Sequence, residues 1–580
     1  MVLTYGRWSC ARVGMSIVRS VLSILLLRSV PGRLPGGLET LDVSRNAMRK
    51  LGGSVYRVPM RLDVSDNQLS ALPPPASGKT AAGAGAATIR GIDAARNRIE
   101  RLPAAGLRNL RCLTALGLAD NRLAELSPEL GQLRYLRRLD VSRNRLRALP
   151  GELCRLDWSL EELRVAGNRL ARLPADFGRF RRLAVLDASD NELSELPADL
   201  GAVASLRAVD LSGNRVVDVG AIVGLGRCEE LDLAANRITR LPDELHLLGS
   251  LVSLDVSRNR LTCLPDGLGL VPTLKHLRAA GNQIAELPAT IGVRQLLATL
   301  VLSDNRLESL PPDLGRLRTV ETFLVDGNRL TELPRTADRM SALQRLDVGR
   351  NQLTGLAAVP PAVTSLCVSA NPLRTAADDP RGSLLVRLGD PELARCLVHL
   401  SLARLGLDEF PPAVTSLRML TSLDLSHNRV ARLPRRENLA RLANVRRLDL
   451  AANSRLRSLD GVRVLEQLER LDASGNALER FSDDLTTLRC LQHLDLTDNR
   501  IASLPDNFGE LRFGSFFIPC ITRRECHLCR VAGNTSGGST LGPGGPKFYR
   551  PPTLAVLLTH CGRLILRKKL VNLMPPDVRF

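Results

Sequence analysis

The stretch LRRLDVSRNRLRALP, residues 136–150, decides the fold of this chain. Within it, Leu136, Leu139 and Val141 precede Asn144 by eight, five and three positions, and another leucine follows two positions later. The same pattern, LxxLxLxxNxL, returns along most of the sequence, and the commonest step between its asparagines is 23 residues. Repeats of this length build solenoids, so the 580 residues do not indicate several globular domains.

The spacing predicts one short strand in each repeat. Leu139 and Val141 are one position apart, and side chains alternate along a strand, so both face the same side. Stacked strands then form a parallel sheet. The asparagine lies where the chain turns inward, and its amide can satisfy backbone groups that the strands leave unpaired. The central repeats supply the predicted ladder of asparagines: Asn144, Asn168, Asn191, Asn214, Asn236, Asn259, Asn282, Asn305, Asn328 and Asn351.

The second half of each repeat carries an apolar residue with proline, as at Leu149 and Pro150, and often a Leu-Gly or Phe-Gly pair, as at Phe177 and Gly178. These residues predict short helical or 3-10 turns on an outer side that is wider than the strand side. The sequence therefore predicts an α/β repeat solenoid, a horseshoe with a concave parallel sheet and short turns on its convex side.

The full motif LPxxLGxLxxLxxLDLSxNxL resembles that of the intracellular leucine-rich-repeat proteins, and most of all their Ras group. The resemblance extends over about Leu38 to Asn534. It implies a non-enzymatic protein that binds other proteins, and a small GTPase or a phosphatase as the partner. Such folds serve many functions, so the partner must be inferred from the surface of this chain.

Departures from the regular repeat spacing predict the organisation of the chain. Residues 1–37 form an N-terminal segment, which we interpret as a degenerate first repeat, with mitochondrial targeting as the alternative because acidic residues are absent before Glu39. Repeats are predicted over 38–371 and 397–534, separated by a break or hinge at 372–396. Residues 535–580 are predicted to form a Gly-rich loop and a C-terminal capping helix.

The sequence predicts an intracellular, cytoplasmic protein. No membrane span is expected, because the apolar stretch from Val13 to Val30 is short and is interrupted by Arg19 and Arg28. The twelve cysteines are scattered and indicate reduced thiols. The net charge of +20 comes from 80 basic residues, of which only six are Lys. Because the arginines are spread along the chain and aromatic residues make up only 3% of it, we interpret the charge as compositional and do not expect nucleic-acid binding.

Acidic residues indicate a binding surface. Thirteen repeats place Asp four residues before the asparagine, on the expected concave face. The alternative interpretation is that these aspartates are solvated residues of the family consensus without a binding role. Partner contacts are predicted where this stripe changes, at Val301 and Leu324, which we expect to be exposed apolar anchors on adjacent strands. The predicted partner-binding residues of the concave face are Asp255, Arg278, Val301, Leu324 and Asp347.

Arginine directly follows the asparagine in eleven repeats, among them Arg122, Arg145 and Arg169. This Arg rim carries the alternative function, association with RNA or another polyanion. No Ser, His and Asp set can be assigned, so no catalytic residue or cofactor is predicted. Cys526, Cys529, His560 and Cys561 invite a zinc interpretation, but the two former occupy apolar repeat positions, and we predict no metal.

Overall fold

The computed structural model describes residues 38–503, except 53–54, 56–57, 59, 73–88, 103–106, 108–109, 294–295, 357–358 and 374–387, together with 19–21, 28, 30 and 515–517. The considered zinc ligands, the predicted capping helix and most of the N-terminal segment lie outside these residues. The chain divides into two compact units, Met1–Leu300 and Val301–Phe580.

The first unit contains one three-residue strand per repeat. Neighbouring strands pair in parallel and in register, so that Leu62 aligns with Leu41 and with Ile92. The strands are β1 (Arg19–Val21), β2 (Thr40–Asp42), β3 (Arg61–Asp63), β4 (Gly91–Asp93), β5 (Ala115–Gly117), β6 (Arg138–Asp140), β7 (Glu162–Arg164), β8 (Val185–Asp187), β9 (Ala208–Asp210), β10 (Glu230–Asp232), β11 (Ser253–Asp255) and β12 (His276–Arg278).

The second unit repeats this arrangement, and β13 (Thr299–Val301) contains the boundary between the units. Its own strands again pair in parallel, with Leu346 aligned with Phe323 and Leu366. They are β14 (Thr322–Leu324), β15 (Arg345–Asp347), β16 (Ser365–Cys367), β17 (His399–Ser401), β18 (Ser422–Asp424), β19 (Arg447–Asp449), β20 (Arg470–Asp472), β21 (His493–Asp495) and β22 (Ser515–Phe517).

The core of each unit consists of the apolar positions of the repeat. Leu136, Leu139, Val141 and Leu146 have no solvent-exposed surface, and the corresponding apolar residues of most other described repeats are buried as well. Leu373 and Leu407, at the position of Leu146, are half-buried. Burying one such aliphatic side chain contributes roughly 1.5–3 kcal/mol. The repeated pattern therefore stabilises each repeat against its neighbours.

The outer side is formed by short 3-10 turns, which lie close to one another. A Cβ on Gly131 would overlap the carbonyl oxygen of Glu152 in the next turn, so glycine allows this approach. The turns are Pro128–Gln132, Gly151–Leu156, Phe177–Arg179, Leu200–Ala202, Gly220–Ile222, Asp243–Leu247, Asp266–Leu270 and Ala289–Gly292 in the first unit, and Pro312–Arg316, Arg335–Arg339, Pro412–Ser416, Ala440–Leu442, Val462–Val464 and Asp483–Thr487 in the second. The predicted repeat solenoid, with a parallel sheet and short turns, is confirmed.

The second unit also has two short α-helices. α1 (Pro391–Cys396) begins at Asp390, whose carboxylate accepts the backbone N–H of Glu392 at 3.0 Å. It lies within the predicted break at 372–396. α2 (Arg436–Leu439) replaces a 3-10 turn and continues into the turn that follows it.

Two repeats depart from the common pattern. The sequence predicts Val21, Ile24 and Leu26 at the repeat positions of Leu136, Leu139 and Val141, and hence a strand centred on Ile24. β1 instead lies four residues earlier, and its pairing with β2 gives a step of 21 residues from Arg19 to Thr40. Leu405 occupies the place of a repeat asparagine. Its N–H donates to Oδ1 of Asn428 at 3.0 Å, so the following asparagine still connects to this repeat.

Candidate functional site on the sheet face

Each strand presents two side chains to the outside of the sheet. In β11, Leu254 is buried while Ser253 and Asp255 are half-buried at the surface. These two positions, six and four residues before the repeat asparagine, make up what we call the sheet face. It is the surface that the sequence predicts to be concave.

The consensus aspartates of the sheet face also hold the turn that follows each strand. The backbone N–H of Ser257 donates to Oδ1 of Asp255 at 2.9 Å, and that of Gly349 donates to Oδ1 of Asp347 at 3.0 Å. In several repeats a serine hydroxyl adds a second bond, as from Ser212 to Asp210 at 2.7 Å. One carboxylate oxygen is thus structural, which supports the solvated-consensus interpretation of part of the stripe.

The first unit places four aspartates on consecutive strands. They are Asp187, Asp210, Asp232 and Asp255, aligned in register on β8 to β11. Strands of one sheet lie about 4.8 Å apart, so these carboxylates are close neighbours. Arg164 on β7 and Arg278 on β12 lie at the two ends of this run and, with the four aspartates, line a shallow depression of about 340 Å³.

The third member of this run has a raised pKa. Burial is the main cause that raises the pKa of Asp232 to about 6, and the charges of Asp210 and Asp255 contribute to the rise. The hydrogen bond from the Ala234 N–H and the charge of Arg278 oppose the shift. The charged form of Asp232 is therefore disfavoured in the folded protein, and a cationic group of a partner would stabilise it.

The second unit has a corresponding run on β18 to β21, formed by Asp424, Asp449, Asp472 and Asp495. Burial is the main cause that raises the pKa of Asp449 to about 6, and the charges of the three other carboxylates contribute to the rise. An arginine six residues before the asparagine does not always pair with the aspartate of its own strand. Arg138, which the sequence places beside Asp140, forms its ion pair with Glu162 on the next strand at 3.6 Å.

The predicted partner-binding residues fall into two groups. Asp255 and Arg278 are register partners in the first unit. In the second unit, Leu324 is the register partner of Asp347, and the N–H of Leu302, next to Val301, donates to the Leu324 carbonyl at 2.7 Å. The sequence thus identified neighbours within each unit.

One expectation about these residues is wrong. Val301 and Leu324 are half-buried and not exposed anchors, since both fall in strands where each outward side chain is flanked by those of the adjacent strands. They remain accessible apolar positions where other repeats place carboxylates.

The asparagine ladder lies beneath the turn that ends each strand. The side-chain amide of Asn259 donates to the carbonyls of Leu233, Val256 and Ser257 at 2.9–3.2 Å, and its Oδ1 accepts the N–H of Ile238 at 3.0 Å. Leu233 and Ile238 belong to the preceding repeat. The other asparagines of the ladder are equally buried and use the same kinds of partner.

The Arg rim is exposed but partly neutralised. Arg215 pairs with Glu192 at 3.0 Å and Arg329 with Glu308 at 3.8 Å, in each case across neighbouring repeats. These pairs reduce the positive charge that a polyanion would meet.

Sequence reasoning missed two aromatic residues, Tyr135 and Trp158, which are 65% and 69% exposed. The signal that could have identified the second is the step of 24 residues from Asn144 to Asn168, one more than the common 23.

Within the described part of the chain, no group of three or more His, Cys, Asp or Glu residues could hold a metal ion. No helix there is long and apolar enough to cross a membrane. The seven cysteines that can be described are all free, and burial raises the pKa of Cys154 to about 11 and that of Cys228 to about 12. Both thiols are therefore protonated packing residues.

Comparison with known families supports the repeat assignment. Residues 223–284, 416–431 and 490–511 match three family models, each described as leucine rich repeat. No curated protein matches the sequence at a significant level.

Solved structures share the fold at low sequence identity. A TDR receptor is 22% identical, with 87% of this chain and 90% of that chain covered and a TM-score of 0.61. The plant peptide hormone receptor RGFR1 in complex with RGF2 is 21% identical, with 83% of both chains covered and a TM-score of 0.58. The Arabidopsis receptor kinase HAESA, in complex with the peptide hormone IDA and the co-receptor SERK1, is 20% identical over 88% of this chain and 87% of that chain, with a TM-score of 0.52. Together with the family models, these likenesses support a leucine-rich-repeat protein.

Proposed function

We propose that this chain is a non-enzymatic scaffold or adaptor that binds a protein partner on its sheet face. Leucine-rich-repeat folds generally serve as scaffolds for protein–protein interaction. The observation that carries the proposal is the pair Val301 and Leu324, which are adjacent, half-buried and apolar where most repeats place Asp. Apolar side chains that are accessible on an otherwise charged face are the usual anchors of interfaces.

Charged residues of the same face would give the interaction its specificity. Asp347 lies beside Leu324 in the second unit, and Asp255 and Arg278 lie beside each other in the first. Complementary charges across an interface speed association and exclude wrong partners more than they add affinity.

The identity of the partner is proposed from the resemblance of the sequence. The Ras-group motif favours a small GTPase or a phosphatase and a role in intracellular signalling. The arrangement of many such repeats, a break that begins Asn371, Pro372, Leu373, Arg374 and a predicted terminal helix is similar to leucine-rich repeat-containing protein 40. The seven free cysteines are compatible with a reducing, cytoplasmic location. RGFR1 and HAESA are solved with bound protein or peptide ligands, but their low identity extends only the fold to this chain.

The organisation predicted from the sequence is kept as part of the proposal. Repeats over 38–371 and 397–534 form the binding scaffold, 372–396 is a break or hinge, 1–37 is a degenerate first repeat or a targeting segment, and 535–580 caps the last repeat.

The direct experiment is affinity purification with mass spectrometry of the full chain and of the variant Val301→Glu/Leu324→Glu. We expect a discrete set of proteins to be lost from the variant. Because both residues are half-buried, Val301→Asp/Leu324→Asp serves as a second variant that introduces the residue most repeats carry there. Met419→Glu, which changes a 49% exposed residue outside the sheet face of the same unit, is the matched control.

Two outcomes would contradict the proposal. Either both sheet-face variants, shown to be folded, recover the same proteins as the wild type, or all forms recover mainly ribonucleoproteins that dissociate as salt is raised. The second result would assign function to the Arg rim.

A further inference from the structure

Aromatic residues are rare in this chain, and most of those that can be described lie in the core. Phe177, Phe180 and Phe323 are at most 1% exposed. Tyr135 and Trp158 differ sharply, since most of each side chain is in solvent. They occupy equivalent turns of adjacent repeats, just before β6 and β7, which pair in register. Adjacent repeats thus each expose one large aromatic side chain just before their strand.

The turn that carries Trp158 is longer than its neighbours. Buried Leu156 and Leu160 enclose three residues there, whereas Leu133 and Leu136 of the preceding repeat enclose two. The N–H of Leu160 donates to the Leu156 carbonyl at 2.9 Å, so the extra residue is accommodated without loss of core packing. The extra residue therefore adds nothing to the packing of the core, and the longer turn exposes the indole of Trp158 to solvent.

The surroundings of the two rings are cationic. Arg134, Arg155, Arg181 and Arg182 are exposed, and none of them forms an ion pair with a described residue. Of the nearby acids, Glu161 pairs with Arg137 at 3.6 Å and Asp176 with Arg179 at 3.6 Å. Asp157, which accepts the backbone N–H of Trp158 at 3.0 Å, and Glu152 keep their negative charges. The four arginines outnumber these two carboxylates, so a net positive charge is available to a ligand.

We propose that Tyr135, Trp158 and these four arginines form a second docking surface, the aromatic edge, which binds an acidic segment of a partner protein through at least one apolar side chain. Trp, Tyr and Arg are the residues that most often dominate protein interfaces. An acidic segment complements the arginines, and its apolar side chain covers the rings. The aromatic edge uses none of the sheet-face residues, so it adds a second binding site to the proposed scaffold.

A protein segment suits this surface better than a single-stranded nucleic acid. Nucleic-acid platforms stack successive bases on successive rings along a basic track. Here the equivalent turns of the next three repeats carry Arg182, Ser205 and Arg227, so the aromatic surface ends after two rings. A patch of two rings has the size of one interface anchor.

The test uses a phage-displayed library of random peptides, selected on the full chain and counter-selected on Tyr135→Ala/Trp158→Ala. We expect enriched peptides to combine Asp or Glu with an aliphatic or aromatic residue, and to bind the double variant at least about tenfold more weakly. Leu247→Ala/Leu270→Ala is the matched control, since it removes two exposed apolar residues from adjacent repeats of the same unit and should leave affinity unchanged.

Charge and ligand class are tested on the same peptides. Arg181→Glu/Arg182→Glu should weaken binding, and Val301→Glu/Leu324→Glu should not, which separates this site from the sheet face. In a Trp8→Phe background Trp158 is the sole tryptophan, so its fluorescence should change on binding. Selection of basic peptides, equal binding to the double variant, or tighter ring-dependent binding of oligo(U) than of any selected peptide would overturn the proposal.

Discussion

The side chain of Asn259, which is 7% exposed, makes four hydrogen bonds, and two of them, to Leu233 and Ile238, connect its repeat to the preceding one. Without that amide, the N–H of Ile238 and the carbonyl of Leu233 would lose a partner in a region from which water is excluded. Buried polar groups left unpaired cost more than the bond itself contributes. The repeat asparagine is therefore a structural residue, and its recurrence in the sequence reports this requirement.

Replacing Asn259 with Ala should lower the free energy of unfolding by roughly 1–3 kcal/mol. Thermal or urea denaturation measures the change. Arg260→Ala, at the exposed neighbouring position, is the control and should have little effect. Equal stability of the Asn259 variant and the wild type would contradict the hydrogen-bond network.

The residue before each asparagine adopts a left-handed backbone conformation. Fourteen non-glycine residues have φ between 51° and 56° there, including Ala235, and five repeats use glycine, as at Gly213 with φ 66°. Arg404, which precedes Leu405, has the same conformation. A Cβ at Gly213 would also collide with the carboxylate of Asp190. The left-handed conformation therefore accommodates a side chain at Ala235, whereas at Gly213 a side chain would collide with a neighbour.

Gly213→Ala should destabilise the protein by about 1–3 kcal/mol, because strain at positive φ adds to the collision. Ala235→Gly, the reverse change one repeat later, should have an effect below about 1 kcal/mol, since relief of strain offsets the greater freedom of glycine in the unfolded chain. Denaturation of both variants tests the asymmetry, and similar losses for both would argue against it.

At the scale of elements, the consensus aspartate is part of the strand and also accepts a hydrogen bond from the turn that follows it. Four aspartates have a raised pKa, and in each case burial is the largest cause: Asp93, Asp232, Asp347 and Asp449. All four are followed two residues later by Ala or Gly, whereas the nine other consensus aspartates are followed by Ser or Thr. The hydroxyl seen between Ser212 and Asp210 has no counterpart at Ala234. The residue two positions after each aspartate thus decides whether a hydroxyl group is available to that carboxylate.

Asp232→Asn should raise stability at neutral pH. The pKa of Asp232 is about 6 in the folded protein, above its ordinary value of 3.8, so folding favours the protonated form and stability falls as pH rises through the interval from about 4 to 6. The difference in thermal midpoint between variant and wild type should therefore be positive at pH 7 and shrink toward pH 4.

Ala234→Ser is the companion variant, since its hydroxyl should hydrogen-bond to Asp232 and lower the pKa of that carboxyl. It should shift the midpoint at pH 7 in the same direction as Asp232→Asn. A difference between Asp232→Asn and wild type that does not vary with pH would contradict the raised pKa.

The strands and the placement of Asp255, Arg278, Leu324 and Asp347 on one face could be predicted from the sequence, because a strict repeat converts spacing directly into register. Partial burial of Leu324 could not, because it depends on side chains contributed by neighbouring strands. The β1 register was missed for a similar reason: the first repeat lacks an asparagine, and apolar residues there permit two alignments. The pairing of Arg138 with Glu162 is a contact between repeats that no single repeat reveals.

For the whole molecule, the repeats of each unit combine interior positions that packing fixes with outward positions that are free to vary. In each unit the apolar residues and asparagines keep the same places, while the sheet face changes from carboxylates to Arg278 in the first unit and to Leu324 in the second. Variation confined to accessible positions of a rigid scaffold is what a binding protein requires.

Site-specific photo-crosslinking tests the proposed sheet-face interaction most directly. Benzoylphenylalanine is placed at Leu324 on the sheet face or at Arg316, an exposed residue of the 3-10 turn in the preceding repeat. After irradiation in cells, we expect discrete protein adducts from position 324 that are absent from position 316. Adducts that are the same at both positions, or no protein adduct at position 324 from a folded, expressed chain, would contradict a protein-binding sheet face.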